Sequence, residues 1–176
     1  PAEGKDFHIL EIGTGCGAIS IALARELPAA TVVATDLSPK ALAVAEENAL
    51  RSGVRERIRL LHGDLFLPVE KGDAFDLIVT NPPYIRREQF PSLMPEVRDY
   101  EPKVALDGGK DGLDFFRRVL PAVDEYLLPG GWFLAEMGAG QDPQILKIAE
   151  KNPDLDSFAF AKDLGGINRV FKARKK

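Results

Sequence analysis

The feature that most restricts how this chain can fold is a strand that is forced to stop. Phe75-Asp76-Leu77-Ile78-Val79-Thr80 has the length and apolar content of a buried strand. Asn81-Pro82-Pro83-Tyr84 follows it directly. Two successive prolines offer no N–H to a ladder, so the strand ends at Thr80. Asn81 precedes a proline and is pushed toward extended geometry. The chain therefore carries a stiff corner, bearing one amide and one aromatic ring, at a strand's C-terminal end. In open α/β sheets ligands collect at that edge. For an isolated Asn-Pro-Pro-Tyr, a rigid turn with no further role is the competing reading.

What precedes the corner favours a ligand. Phe7 to Ile12 reads as a first strand, Gly13-Thr14-Gly15-Cys16-Gly17 as a loop, and Ala18 to Leu27 as a helix ended by Pro28. Three glycines in five residues permit a tight turn and a close backbone approach to a cofactor, held on backbone N–H groups. Cys16 has no basic neighbour in sequence and reads as a small loop residue rather than a nucleophile. Thr31 to Thr35 is a second strand ending in Asp36, nineteen residues after Gly17, where a carboxylate can accept both hydroxyls of a ribose. Ser38 caps the next helix, with Pro39 at its first position, Leu42, Ala45 and Ala49 as its buried stripe, and Gly53 past its end. Arg57 to Leu61 is a third strand. In the following Gly63-Asp64-Leu65-Phe66, Asp64 can accept from an adenine amino group and Leu65 can pack on the ring; a turn or cap is the plainer role for Asp64. The short stretch between the third and fourth strands leaves no room for a crossover helix.

Beyond Tyr84, Ile85 to Asp111 shows no periodicity and reads as a lid, a binding loop or a disordered stretch, with Arg86, Arg87, Arg98 and Glu101 as its polar candidates. Leu113, Phe116, Leu120, Val123 and Leu127 trace an amphipathic helix that Pro121 must kink or break. Pro129-Gly130-Gly131 is expected to turn before a fifth strand at Trp132 to Glu136, and Pro143 opens a last helix that ends near Asn152-Pro153. Ser157 to Ala161 and Ile167 to Phe171 read as an antiparallel pair joined through Gly165-Gly166, and the basic run from Lys172 to Lys176 as a solvated terminus. Strand–loop–helix repetition closed by a hairpin is an α/β fold with a mostly parallel sheet and helices on both faces, expected as one domain over 1–176. Net charge is −4, so no global basic field recruits nucleic acid. No apolar run approaches the roughly 18 residues of a membrane span. One cysteine and two distant histidines offer no disulfide and no metal-ligand spacing, and the expected location is the cytoplasm. Residue 1 is Pro, so a fragment or a processed chain is expected.

Taken together, the chain resembles the release factor glutamine methyltransferases, the HemK/PrmC family, within the class I S-adenosylmethionine-dependent methyltransferase fold with its seven-stranded sheet. The resemblance rests on Glu11-Ile12-Gly13-Thr14-Gly15-Cys16-Gly17, Asp36-Leu37-Ser38-Pro39, Gly63-Asp64-Leu65-Phe66 and Asn81-Pro82-Pro83-Tyr84-Ile85. It rests most on Pro95-Glu96-Val97-Arg98-Asp99-Tyr100-Glu101-Pro102, extended by the run from Ala105 to Leu113. Asn-Pro-Pro-Tyr alone is shared with adenine amino-methyltransferases. The resemblance implies methyl transfer from S-adenosyl-L-methionine, leaving S-adenosyl-L-homocysteine, to the side-chain amide nitrogen of the glutamine in a release factor's Gly-Gly-Gln motif. It implies Asn81, Pro82 and Tyr84 as catalytic residues. Glu11, Gly13, Thr14, Gly15, Cys16, Gly17, Asp36, Leu37, Asp64, Leu65 and Asn81 are implied at the cofactor, and Asn81 to Tyr84 with Arg98 and Glu101 at the substrate. The implied partners are peptide chain release factors, acted on by a monomer with no direct nucleic-acid or membrane contact. The family's N-terminal helical domain does not occur in these residues, and Leu65 stands where some members have Trp. Ribosomal-protein glutamine transfer, nucleic-acid adenine transfer, an inactive cofactor-binding module and a dehydrogenase-like nucleotide domain are the alternatives.

Overall fold

Seven strands form one sheet: β1 (Phe7–Ile12), β2 (Ala30–Asp36), β3 (Ile58–His62), β4 (Phe75–Thr80), β5 (Leu127–Glu136), β6 (Leu155–Lys162) and β7 (Asn168–Lys175), in the order β3-β2-β1-β4-β5-β7-β6. The structure is a computed structural model and describes residues 6–176. β1 pairs in parallel with both β2 and β4, with Ile12 opposite Thr35 on one side and Thr80 on the other. β2 pairs in parallel with β3, and β6 and β7 are antiparallel. This is the expected mixed sheet with a terminal hairpin. Ile9 to Ile12 are all buried, as befits a central parallel strand covered on both faces. The chain runs from β3 to β4, past β2 and β1, through turns with no helix.

The chain divides into two compact units, Pro1–Thr80 with Glu125–Phe133 and Asn81–Asp124 with Leu134–Lys176. The core of the first gathers Ile9, Ala24, Val32, Ala34, Ala49 and Ile58 under helices α1 (Ala18–Glu26) and α2 (Pro39–Arg51). α2 begins as its sequence dictates: the Ser38 hydroxyl accepts from the Ala41 N–H at 3.2 Å, and Pro39 takes the first turn. Of its expected stripe Ala45 and Ala49 are buried, while Leu42 is only partly so. Gly17 opens α1 with a left-handed φ of 83°, and a Cβ there would lie 3.1 Å from the Ala45 Cβ of α2. Two helices and a turn thus meet at a contact tighter than a side chain normally makes.

The second unit holds α3 (Pro95–Arg98), α4 (Lys103–Leu106), α5 (Asp114–Val119) and α6 (Asp142–Ala149). Phe116, Met137, Ile145, Phe171 and Ala173 are among its fully buried side chains. The amphipathic pattern breaks at Pro121, as expected: α5 ends at Val119 and a 3₁₀ turn covers Val123–Tyr126. Three expectations are corrected. The Ile85–Asp111 stretch is not structureless, because α3, α4 and a 3₁₀ turn at Arg87–Ser92 form there on local hydrogen bonds. β5 runs through Pro129-Gly130-Gly131, since Gly130 absorbs the local turn at φ 78° while strand pairing continues. The basic end is part of β7, where Phe171 and Ala173 point inward and Lys172 and Arg174 alternate with them.

Gly17→Ala is expected to destabilise the chain by about 1–3 kcal/mol, from the left-handed backbone and the contact with Ala45 together. Chemical denaturation checks this, and an unchanged midpoint contradicts the packing described.

Candidate functional site

Glu11 is 1% exposed, yet it is a carboxylate. Its Oε2 accepts from the Thr14 hydroxyl at 2.7 Å, from the Ser20 N–H at 3.0 Å and from the Ser20 hydroxyl. One oxygen thereby joins the end of β1, the glycine loop and the first turn of α1. Burial pushes the Glu11 carboxyl above its usual range, while the bonds from Ser20 and Thr14 pull it back. The helix N-terminus, a place for anions, is taken by this side chain.

Asp36 is equally committed to the loop. Its Oδ2 accepts from the Gly15 N–H at 2.8 Å and its Oδ1 from the Ser38 N–H at 2.8 Å. Each oxygen keeps a further lone pair for a ligand hydroxyl. The N–H groups of Gly13 and Thr14 bond to the Thr35 carbonyl, and that of Gly17 to the Thr14 carbonyl. The expectation that the loop offers these N–H groups to a ligand is therefore corrected: protein acceptors already use four of them. What the loop offers instead is space, since nothing lies within 4 Å of a Cβ built on Gly13 or Gly15. Gly13, Gly15 and Gly17 all hold positive φ, so the loop needs glycine conformationally as well.

Cys16, Leu37, Asp64 and Leu65 lie in the same unit, whereas Asn81, also expected at the cofactor, belongs to the second. Cys16 is exposed and its carbonyl accepts from Asn48 Nδ2 at 2.9 Å. Leu37 is exposed, and Asp64 and Leu65 follow β3 half-buried. Leu65 holds a left-handed φ of 51°, unusual for a bulky side chain. β1 and β4 are adjacent strands from which the sheet is built outward in opposite directions, the switch point at which α/β sheets bind ligands.

Asn81 is the first residue after β4; it is exposed, and its side-chain amide bonds to no described residue. Pro82 is buried and Pro83 half-buried. The Tyr84 hydroxyl donates to Glu136 Oε1 at 2.9 Å, and its carbonyl accepts from Gln141 Nε2 at 3.0 Å. Ile85 and Asp107 form a bridge, with the Ile85 N–H donating to the Leu106 carbonyl and the Gly108 N–H to that of Ile85. A Cβ on Gly108 would lie 2.8 Å from Tyr84 Cα. Glu136, Gln141 and the glycines at 108 and 112 are the residues that sequence reasoning missed at this corner. The Ala105-to-Leu113 run carried a signal for the glycines. Arg98 and Glu101 lie on the exposed stretch beyond, where Arg98 pairs with its neighbour Asp99 at 2.7 Å. No group of three or more His, Cys, Asp or Glu among the described residues is arranged to hold a metal ion, and no described helix is long and apolar enough to cross a membrane.

The model of the methyltransferase small domain family matches residues 2–96, more than half of the chain. The chain belongs to that family. This methyltransferase domain is 50% identical over 167 residues to a protein named release factor glutamine methyltransferase from Geobacter sulfurreducens, covering 94% of this chain and 57% of that protein. It is 42% identical over 163 residues to one of the same name from Gloeobacter violaceus, covering 93% and 57%. It thus spans 57% of the length of these two relatives. Its fold is also similar to that of a ribosomal protein L11 methylase from Lactobacillus delbrueckii subsp. bulgaricus, with a TM-score of 0.71 at 24% identity over 99% of this chain and 73% of that one. Class I methyltransferase architecture is therefore the fold of this domain.

Burial pushes the Tyr84 phenol up to about 12, and its bond to Glu136 adds to the shift. The proton favours the folded state, so the stability from this bond is complete below the phenol's ordinary 10.0 and is lost as pH rises through about 12. The difference in Tm between the wild-type domain and Tyr84→Phe is expected to stay constant up to the ordinary phenol range and to shrink above it. A difference that shrinks near neutral pH contradicts this arrangement.

Proposed function

We propose that residues 1–176 form a catalytic domain that binds S-adenosyl-L-methionine and methylates the side-chain amide nitrogen of glutamine in the Gly-Gly-Gln motif of peptide chain release factors. The observation that carries the cofactor reading is the sign of charge at the loop. Glu11 occupies the N-terminus of α1, and Asp36 turns both oxygens to the loop and the backbone after it. A pyrophosphate needs the reverse, free N–H groups and a free helix terminus. The acidic loop suits a cationic ligand with ribose hydroxyls, which disfavours a dehydrogenase-like domain. When bound, S-adenosyl-L-methionine supplies an activated methyl group on a sulfonium and leaves as S-adenosyl-L-homocysteine.

Within this reading, Asp36 accepts ribose hydroxyls on the lone pairs its backbone donors leave free, and Asp64 accepts from the adenine amino group. The strained backbone of Leu65 holds an aliphatic side chain for the adenine face. Thr14, Cys16 and Leu37 complete the surround of the open space at Gly13 and Gly15. The glutamine nitrogen is a poor nucleophile, because its lone pair is delocalised into the carbonyl. Asn81 Oδ1 and the Pro82 carbonyl, which proline retains, accept its two N–H bonds. Together they aim the lone pair at the methyl carbon and favour the positive charge that develops on nitrogen. Tyr84 lies against the planar amide, its ring oriented by Glu136. The surplus proton leaves after transfer, so no base acts beforehand. Arg98 and Glu101, exposed on the stretch beyond the corner, are assigned to the protein substrate. The name carried by both relatives and the net charge of −4 support a protein substrate over a nucleic acid.

Asn81→Ala tests this reading. Losing an acceptor that strengthens in the transition state is expected to cost roughly 3–4 kcal/mol, about 10²–10³ in single-turnover rate. The fold should survive, and cofactor affinity should fall less than turnover, since Glu11, the loop and Asp36 are untouched. Label transfer to purified release factor, cofactor affinity and melting temperature on one preparation decide it. A destabilised variant with unchanged turnover makes Asn81 a turn residue and overturns the proposal.

A further inference from the structure

Gln141 stands where its type is out of place. It is the residue that opens α6, a position that favours Ser, Thr, Asp or Asn, and its side chain makes no capping bond to the helix. It is 3% exposed, and its amide is fully occupied elsewhere. Nε2 donates to the Tyr84 carbonyl at 3.0 Å and to the Gly112 carbonyl at 3.3 Å, while Oε1 accepts from the Gly138 N–H at 2.7 Å. Gly112 is left-handed at φ 80°, and a Cβ on it would collide with both Gln141 Nε2 and the Tyr84 carbonyl. A residue that breaks a local preference while satisfying a distant carbonyl is there for that carbonyl.

The Tyr84 carbonyl matters because of what lies before it. Pro82 and Pro83 have no N–H, so the corner cannot be held by its own donors between Asn81 and Tyr84. Upstream the chain is fixed where the Thr80 hydroxyl donates to the Ile12 carbonyl at 2.8 Å. Downstream the first handles are the carbonyl and ring of Tyr84. Gln141 takes the carbonyl, and Glu136, at the end of β5, takes the ring through the hydroxyl. We infer that Gln141 and Glu136 are positioning residues, one clamping the backbone and the other the ring of Tyr84, so that the Asn81 amide and Pro82 carbonyl keep the geometry the reaction needs. The kinetic part of this inference rests on the proposed methyl transfer; the clamp does not.

Two readouts on the same variants separate the clamp from the reaction. Gln141→Met keeps side-chain length and removes every polar contact. It is expected to speed hydrogen exchange at the Ile85 and Gly108 amides while Ile145 within α6 keeps its protection. It is also expected to lower kcat for release factor by about 10²-fold, as a small misplacement does, with cofactor affinity unchanged. Unchanged exchange at Ile85 and Gly108 overturns the clamp, whatever the substrate proves to be. Faster exchange with an unchanged kcat per folded molecule makes the clamp structural only and overturns the positioning role. If the wild-type domain transfers no methyl group to release factor, the proposed function fails while the exchange result still judges the clamp. Glu136 supplies the second arm should Gln141→Met fail to fold. Glu136→Gln retains an acceptor for the Tyr84 hydroxyl and is expected to keep kcat, whereas Glu136→Leu is expected to lose it. Equal kcat in the two Glu136 variants counts against the inference.

Discussion

Glu11 accepts hydrogen bonds from Thr14 in the glycine loop and from Ser20 in α1, so a single buried carboxylate ties a strand, a loop and a helix together. A carboxylate taken out of water is costly unless donors surround it, and here the loop and the helix terminus supply them. The loop conformation follows from this attachment. Its glycines hold left-handed angles, its N–H groups turn to Thr35, Thr14 and Asp36, and the side it leaves open is bare of side chains. Glu11 and Asp36 take up N–H groups of the loop and of α1 that a pyrophosphate would need.

The Asn-Pro-Pro-Tyr corner poses the complementary problem. Its prolines make it stiff but deprive it of donors, so its placement depends on residues far along the chain. The Ala105-to-Leu113 run serves this purpose physically: Gly108 and Gly112 leave room for the Tyr84 backbone, and the 106–109 backbone pairs with Ile85 and Arg87. The outer acid–base pairs, Arg87 with Asp107 and Arg117 with Asp111, lie on the solvent side of this arrangement. Exposed pairs of that kind contribute little to stability. The buried bonds of Gln141 carry the placement.

The elements legible in sequence were those whose information is local. β1 and β4 match their apolar runs residue for residue, and Ser38-Pro39 and Gly53 bracket α2 as their chemistry requires. Pro129-Gly130-Gly131 misled because turn-forming residues were outvoted by strand pairing that no local window reveals. Lys172 to Lys176 misled because charge masked the period-two burial of Phe171 and Ala173. Asp36 was legible by its spacing from the loop, but its bonds to Gly15 and Ser38 were not. Glu136 and Gln141 were invisible for a simpler reason. Their partner is 52 and 57 residues away, and neither side chain announces it.

On the proposed function, a loop held by Glu11 and Asp36 takes a cationic sulfonium nucleoside in preference to a pyrophosphate. Titration calorimetry of the wild-type domain with S-adenosyl-L-methionine and, separately, with NAD addresses it most directly. Saturable binding of S-adenosyl-L-methionine and none of NAD is the expected result. Binding of NAD with no heat from S-adenosyl-L-methionine would contradict it.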